Sequence, residues 1–441
     1  MQYLQTTVHR GTASRFGELV VGQRKYQMPA CSPAVRTKAD VSAVVQNIGA
    51  GMKLEVLTPY LSRRNKLSQE LKPLITTNSQ FMAMYGKPLI LPDIESESLN
   101  FNCIARSEFK KMGGFVPSVA QLLNTGLRGD SSAGVQSTHT AWREVDRKYG
   151  FSGVVDWMAT SQSAVGSDVF LMPTSIIRSE ISTATEAFQF AKKMIPAAKA
   201  YQGFTMFGIH LLIHSEIFKT DKESNDTRKA IVDEIHTWSG FQNLRSLFLS
   251  LKVYDPNHIL TDQFLGNVVR RNFSYFISDL QEGVQKAGGI LVVFNVGNWA
   301  LGVLDSGADI ASFRVSGDTS IERPMRGRKG IRNQRKIPPF LIPRGLTDED
   351  PRVLKRIAAQ NNGAFPHTPY VNEEEYWEPS FNWNEKVLYT SQERCGVLVD
   401  VGNEYRNAGL DRNIPLKDAV KSRVQQAQNN QELWDMCPSA W

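Results

Sequence analysis

Eight short apolar runs, separated by segments of helical pattern, constrain this 441-residue chain more than any other feature. They fall at residues 26–32, in KLEVLTPYL, in GKPLILPD (86–93), SDVFLMPTS (167–175), GFTMFGIHLLIH (203–214), RSLFLSLKV (245–253), GGILVVFNVG (288–297) and GADIASFRV (307–315). Runs that are apolar throughout suit strands buried on both faces. Between them, ISTATEAFQFAKKMIPAAKAY and DQFLGNVVRRNFSYFISDLQEGVQKA place apolar residues three and four apart, with charges on the opposite face, as amphipathic helices do. Strand and helix in alternation imply a parallel sheet, and eight strands favour closure into a TIM-like (β/α)8 barrel over an open doubly wound sheet. No GxGxxG or GxxxxGK[ST] loop follows any of the runs, which leaves a nucleotide-binding sheet without support.

The barrel carries additions. The opening TTVHRGTASRFGELVVGQRKYQMPACSPAV alternates polar and apolar residues around Gly17 and Gly22, the pattern of an N-terminal β-hairpin leading into the first barrel strand. Residues 40–48 read as a short helix closed by Gly49-Ala50-Gly51. From about 105 to 161 a Gly- and Ser-rich stretch, NTGLRGDSSAGVQSTHTAW, interrupts the rhythm and is expected either to lie over the barrel mouth or to form a surface loop. After Pro338 the chain turns rich in Pro, Asn and Glu and ends in a helical run, PLKDAVKSRVQQAQNNQELW. The organisation expected is therefore a barrel over 1–337 and a C-terminal helical extension over 338–441 packed on it.

Composition narrows the setting. No window approaches the roughly 18 uninterrupted apolar residues of a membrane helix, and the first eleven residues lack the apolar run of a signal peptide, so a cytoplasmic protein without membrane contact is expected. Cys31, Cys103, Cys395 and Cys437 are scattered and form no CxxC pair, which suggests neither a disulfide framework nor a zinc ribbon. The 51 Lys and Arg against 44 Asp and Glu favour a polyanionic partner. The excess is concentrated in RPMRGRKGIRNQRKIPPFLIPR, where Arg323, Arg326, Arg328, Lys329, Arg332, Arg335, Lys336 and Arg344 occur without an acid. Such a strip is either a solvated loop or a phosphate-backbone contact, and the latter is the expectation.

In a barrel, residues at the carboxyl ends of strands face the mouth, where chemistry is done. Asp93 closes LILPD and is followed by Glu95 and Glu97, while Asp309 stands in SGADIASF, beside the basic strip. Two carboxylates converging there can serve as nucleophile and general acid/base; taken singly, each could equally cap a loop. Asp168 and Asp255 are weaker candidates, Asp168 because it starts its strand. His210 and His214 lie four apart in FGIHLLIH, a step of about 13 Å on a strand and too long for two ligands of one metal. If that strand ended near Gly208, His210 would lie at the mouth and bond a substrate; a satisfied buried histidine is the alternative.

Taken in order, these segments resemble the tRNA-guanine transglycosylase superfamily, including its branch that inserts 7-deazaguanines into DNA. The opening resembles that family's first hairpin and strand, KPLILPD the strand ending in its first catalytic aspartate, and SDVFLMPTS with the helix ending in FAKKM its base-recognition segment. FGIHLLIH is similar to the next strand, LSLKVYDPN to a Gly-Gly-Leu-type strand and loop, and VVFNVGNWALGVLDSGADIASF to the Gly-Val-Gly strand, helix and strand that deliver the nucleophile. The resemblance implies a covalent aspartyl intermediate on Asp309, with Asp93 as the second aspartate, and exchange of guanine for a 7-deazaguanine in DNA or, less favoured, tRNA. A shift of three residues would put Ser312 at the nucleophile position. Thr174 holds the place of the base-reading aspartate, and Ile94-Glu95-Ser96 replaces a Gly-Gly-Phe loop, so Glu95, Thr174, His210 and Lys252 are the expected substrate contacts. The family's zinc cluster has no counterpart, since His367 and Cys395 stand alone, and no metal or cofactor is expected. A homodimer or a subunit of a modification complex is the expected assembly. The alternatives are a catalytically inactive barrel that binds nucleic acid or scaffolds a complex, and a small-molecule enzyme such as a lyase, disfavoured because no Schiff-base lysine is recognisable at a strand end.

Overall fold

A computed structural model describes residues 2–7, 13–61, 87–94, 147, 152–201, 203–204, 206–237, 247–255, 259–261, 265–316, 340–342, 346–349, 383–411, 415–427 and 430–440. At the N terminus β1 (Gln2–Thr7), β2 (Phe16–Val21) and β3 (Arg24–Met28) form an antiparallel sheet in the order β1-β2-β3. The expected hairpin is there with a third strand. The first barrel strand begins later than the sequence suggested, at β4 (Ala30–Val35), because Arg24–Met28 pairs backward with β2 and Pro29 separates the two.

Seven more parallel strands follow: β5 (Val56–Pro59), β6 (Leu89–Ile90), β7 (Val169–Pro173), β8 (Met206–His214), β9 (Leu247–Tyr254), β10 (Ile290–Phe294) and β11 (Ile310–Arg314). Their order is β6-β5-β4-β11-β10-β9-β8-β7. The two ends of that order are brought together by Asp168, whose amide donates to the Ile90 carbonyl at 3.0 Å and whose Oδ2 accepts from the Ile90 amide at 2.9 Å. The result is a nearly closed barrel. All five residues of VFLMP in β7 and of ILVVF in β10 are buried, because a strand inside this architecture faces side chains of the lumen on one side and helices on the other.

The helices that cover it are α1 (Lys38–Gly49), α2 (Ser152–Ala164), α3 (Ile181–Ala200), α4 (Lys222–Thr237), α5 (Gly266–Lys286) and α6 (Ala300–Asp305). Thr37 and Asp40 start α1 with a reciprocal capping box. Two of the turns back into strands use a left-handed glycine, Gly288 at φ 66° before β10 and Gly307 at φ 116° before β11, a conformation that costs any residue with a Cβ. The stretch expected as an insertion over 105–161 overlaps α2, which packs against α3 and β7 as a barrel helix; residues 105–146 lie outside the described residues.

The C-terminal part is more closely tied to the barrel than a packed extension. Beyond a small ladder of β12 (Phe340–Ile342) and β13 (Thr347–Glu349), α7 (Trp383–Leu410) lies against α1 and β4, where the helix following the eighth strand of a barrel belongs. Its glycines permit this. A Cβ on Gly402 would stand 3.0 Å from the Cys31 backbone nitrogen, and one on Gly409 would overlap the Phe16 ring. Gly402→Val is therefore expected to cost about 1–3 kcal/mol through overpacking, read as a lower urea midpoint at unchanged m-value.

The chain ends with α8 (Leu416–Gln426), α9 (Gln431–Asp435) and a last turn over Pro438–Ala440. That turn is anchored on Asp305, at zero exposure, which accepts from the Ser439 amide at 2.9 Å, the Tyr405 hydroxyl at 3.1 Å and the Ser439 hydroxyl. Burial pushes Asp305 up to about 6, although the Ser439 and Tyr405 bonds oppose the rise. A carboxyl whose folded pKa exceeds its unfolded value binds more protons in the native state, so its contribution is complete below about pH 4 and lost as pH rises through 6. Asp305→Asn is expected to flatten that part of the stability profile, a difference of up to about 3 kcal/mol between pH 4 and pH 7 in parallel urea titrations.

Candidate functional site

The carboxyl ends of five barrel strands contribute to one buried polar cluster. Asp93 follows β6, held by backbone bonds from its amide to the Pro59 carbonyl at 2.9 Å and from the Leu61 amide to its carbonyl at 3.1 Å. Its carboxylate receives Lys252 of β9 at 2.9 Å on Oδ2 and 3.2 Å on Oδ1. The pair is almost wholly out of solvent, at 0% and 1% exposure. Asn295, the residue after β10, donates to Asp93 Oδ2 at 2.8 Å from a left-handed backbone at φ 58°, which asparagine tolerates better than most residues. Its Oδ1 accepts from the Tyr60 hydroxyl at 3.1 Å, and that hydroxyl accepts from Nε of Arg314, the last residue of β11, at 3.0 Å. Arg36 and Lys252 stand 5.7 Å, and Arg314 5.9 Å, from the centre of the Tyr60 ring. Burial pushes the Tyr60 phenol up, against the pull of Arg314, so it remains a neutral donor.

Such a cluster is costly to build. Two charges removed from water repay their desolvation only when further hydrogen bonds complete them, as Asn295 does here. Polar side chains gathered at the mouth of an otherwise apolar barrel mark the place where this architecture does chemistry. Asp93 and Lys252 supply a carboxylate and a cationic proton donor in direct contact.

A second polar layer lies on neighbouring strands. His210 of β8 is fully buried, its Nδ1 2.9 Å from Ser250 Oγ on β9 and its ring 5.3 Å from that of Phe294, set edge to face. β8 continues to His214, so His210 lies within the strand and not beyond its end. His214 caps the turn that follows, accepting from the Glu216 amide at 3.2 Å. Thr174 donates to the His210 carbonyl at 3.0 Å and so splices the end of β7 to β8.

Asp309 requires a correction. It immediately precedes β11, and five residues of strand, roughly 16 Å of rise, separate it from Arg314 at the mouth. Its carboxylate is bound at the amino-terminal end of the barrel by Arg15, at 2.5 and 3.1 Å, and by the Leu291 amide at 2.8 Å. Asp93 and Asp309 therefore do not converge. The reason is register: the apolar run IASF begins after the aspartate and carries the chain away from it toward the mouth. Ser312, at the alternative position, lies in the strand with its hydroxyl buried and without a hydrogen-bond partner.

Lys252, expected as a substrate contact, stands two residues before the end of β9 and is paired with Asp93. Asp168 and Asp255 have other uses, Asp168 closing the barrel with Arg24 at 2.9 Å and Lys87 at 3.2 Å, and Asp255 accepting from Ser215, Ile259 and Leu260. Glu95, Arg323, Arg326, Arg328, Lys329, Arg332, Arg335, Lys336 and Arg344 lie outside the described residues. Tyr60, Asn295 and Arg314 were missed in the sequence, although each is a polar residue ending an apolar run, the signal that singled out Asp93. Among the described residues, no helix is long and apolar enough to cross a membrane, and no three His, Cys, Asp or Glu side chains gather as a metal site. No protein-family profile matches the chain, and no curated protein matches it.

Proposed function

We propose that the chain is a nucleic-acid guanine transglycosylase-like enzyme of the cytoplasm whose covalent chemistry is carried by Asp93, with Lys252 as its proton donor and acceptor. The observation that carries this reading is the Asp93–Lys252 contact at 2.9 Å inside the mouth cluster, together with the order of sequence segments that resembles the transglycosylases. In the first half-reaction an Asp93 oxygen bonds to the anomeric carbon of a guanine nucleotide. The bond from that carbon to guanine N9 breaks, and the leaving base takes a proton from the Lys252 ammonium. In the second, an incoming 7-deazaguanine gives its N9 proton to the Lys252 amine, and N9 bonds to the anomeric carbon as the Asp93 ester breaks. Atoms and protons balance over the cycle, and Asp93 and Lys252 return to their starting states. DNA is the favoured polymer and tRNA the other candidate, with the basic strip from Arg323 to Arg344 as its contact.

The experiment is exchange of labelled guanine into guanine-containing DNA and tRNA, with denaturing electrophoresis to catch an adduct. Incorporation by the native protein and its loss in Asp93→Asn are expected. Absence of both exchange and adduct on either polymer rejects the enzyme. One observation favours a second reading, a barrel that binds without exchanging bases: Asp309, the nucleophile that the resemblance implies, is bound by Arg15 and the Leu291 amide at the amino-terminal end of the barrel. That reading expects polymer binding that survives Asp93→Asn and loses salt dependence when Arg326, Arg328 and Arg332 are neutralised.

A further inference from the structure

The contacts of Ser250 favour one tautomer of the His210 imidazole. Ser250 Oγ lies 2.9 Å from its Nδ1 and also 3.3 Å from the Ile209 carbonyl, which can only accept. With its proton directed to that carbonyl, the hydroxyl accepts from the ring, so Nδ1 carries the hydrogen and Nε2 presents a lone pair. Burial pushes His210 down to about 3, Asp93 opposing and Lys252 adding to the shift, so the ring stays neutral throughout the physiological range. Nε2 has no hydrogen-bond partner, and the side chain has zero exposure.

A buried acceptor left without a donor carries an uncompensated desolvation cost, and each such group in a native fold calls for an explanation. Here the explanation lies in the surroundings. The ring lies beside Ser250, which stands two residues before Lys252 on the same face of β9, and the Phe294 ring forms an apolar wall beside it. The pair offers one oriented acceptor and an aromatic ring, which suits a flat heterocycle that brings its own donor.

We propose that His210 is a specificity-determining contact of the mouth site, its Nε2 accepting a hydrogen bond from a ring N–H or exocyclic amine of the exchanged nucleobase. The inference rests on the base-exchange reading and adds to it the edge by which the base is selected. A base presenting a lone pair at that point would set two acceptors against each other. One that lacks the donor would leave Nε2 unmet, the situation in which polar sites discriminate most strongly.

Two measurements on the full chain test it. Calorimetric titration compares guanine with hypoxanthine, which lacks the exocyclic amine, and with 2-aminopurine, which lacks the N1 hydrogen. His210→Phe is expected to weaken guanine binding by at least about tenfold, and to leave unchanged the binding of whichever analogue lacks the recognised donor. His210→Gln, which keeps an acceptor oxygen, is expected to recover most of the loss. Side-chain 15N spectroscopy of the unaltered protein should show the His210 Nε2 resonance move upfield when guanine is added, a readout that survives any folding defect in the variants. Guanine bound with that resonance unmoved, or bound equally by His210→Phe, overturns the role of His210 and leaves base exchange standing. Failure of the unaltered protein to bind any of the three bases overturns both.

Discussion

Replacing Asp309 with alanine is expected to remove about 3–5 kcal/mol of unfolding free energy while leaving base exchange per folded molecule unchanged. The size follows from what remains. Arg15 is 4% exposed and directs two guanidinium nitrogens at Asp309, with a third bond to the Gly289 carbonyl at 2.8 Å and the Tyr3 ring 4.2 Å from its Cζ. Without the carboxylate a buried cation is stranded between the N-terminal sheet and the floor of the barrel. Asp309→Asn should cost less, since it retains an acceptor for the Leu291 amide. The double replacement Arg15→Met with Asp309→Leu should recover most of the loss, because removing both charges also removes both desolvation costs. Urea unfolding gives the free energies, and labelled-guanine exchange normalised to folded protein gives the activity. Activity lost in Asp309→Asn with little change in stability would restore the aspartate to the chemistry and reject its assignment as an anchor.

The Asp309 case shows where a sequence stops being informative. Eight strands were legible because a strand buried on both faces leaves an apolar run, and each run in the sequence corresponds to a strand of the barrel. The direction in which a polar neighbour points was legible only when it closed a run. Asp93 in LILPD closes one. Asp309 in GADIASF opens one, and its acidity and the family resemblance drew attention to it. The same rule, applied without a preference for acids, picks out Tyr60 after VLTP, Asn295 after ILVVF and Arg314 at the end of IASFR. What no local pattern carries is partnership. That Lys252 meets Asp93 across 159 residues depends on barrel closure bringing β6 and β9 to one lumen, and that Ser250 meets His210 depends on the register of β8 against β9. The eighth-helix role of α7 was hidden for a related reason, since 68 residues, 315–382, separate it from β11 and break the short-loop rhythm by which barrel helices are recognised.

The Asp93–Lys252 pair should respond to substitution in a way that separates a site from a structural ion pair. Asp93→Ala removes the carboxylate that the Lys252 ammonium, at 1% exposure, contacts at 2.9 Å and is expected to cost about 3–5 kcal/mol. Lys252→Met leaves Asp93 with the Asn295 amide alone of the two side-chain donors described and should cost a similar amount. Combined as Asp93→Leu with Lys252→Met, the two should return to within about 1–2 kcal/mol of the native protein, because apolar groups of similar volume fill the same space without desolvation. Base exchange should not return with stability. If Asp93 forms the glycosyl ester and Lys252 moves the proton, all three variants lack exchange, while the double variant still binds guanine through His210. Chemical denaturation, exchange and calorimetry on the same four proteins therefore give a pattern that a purely structural pair cannot produce: coupling in stability, no recovery in turnover, and base affinity that follows folding and not charge. Exchange surviving in the double variant would move the chemistry away from this pair altogether.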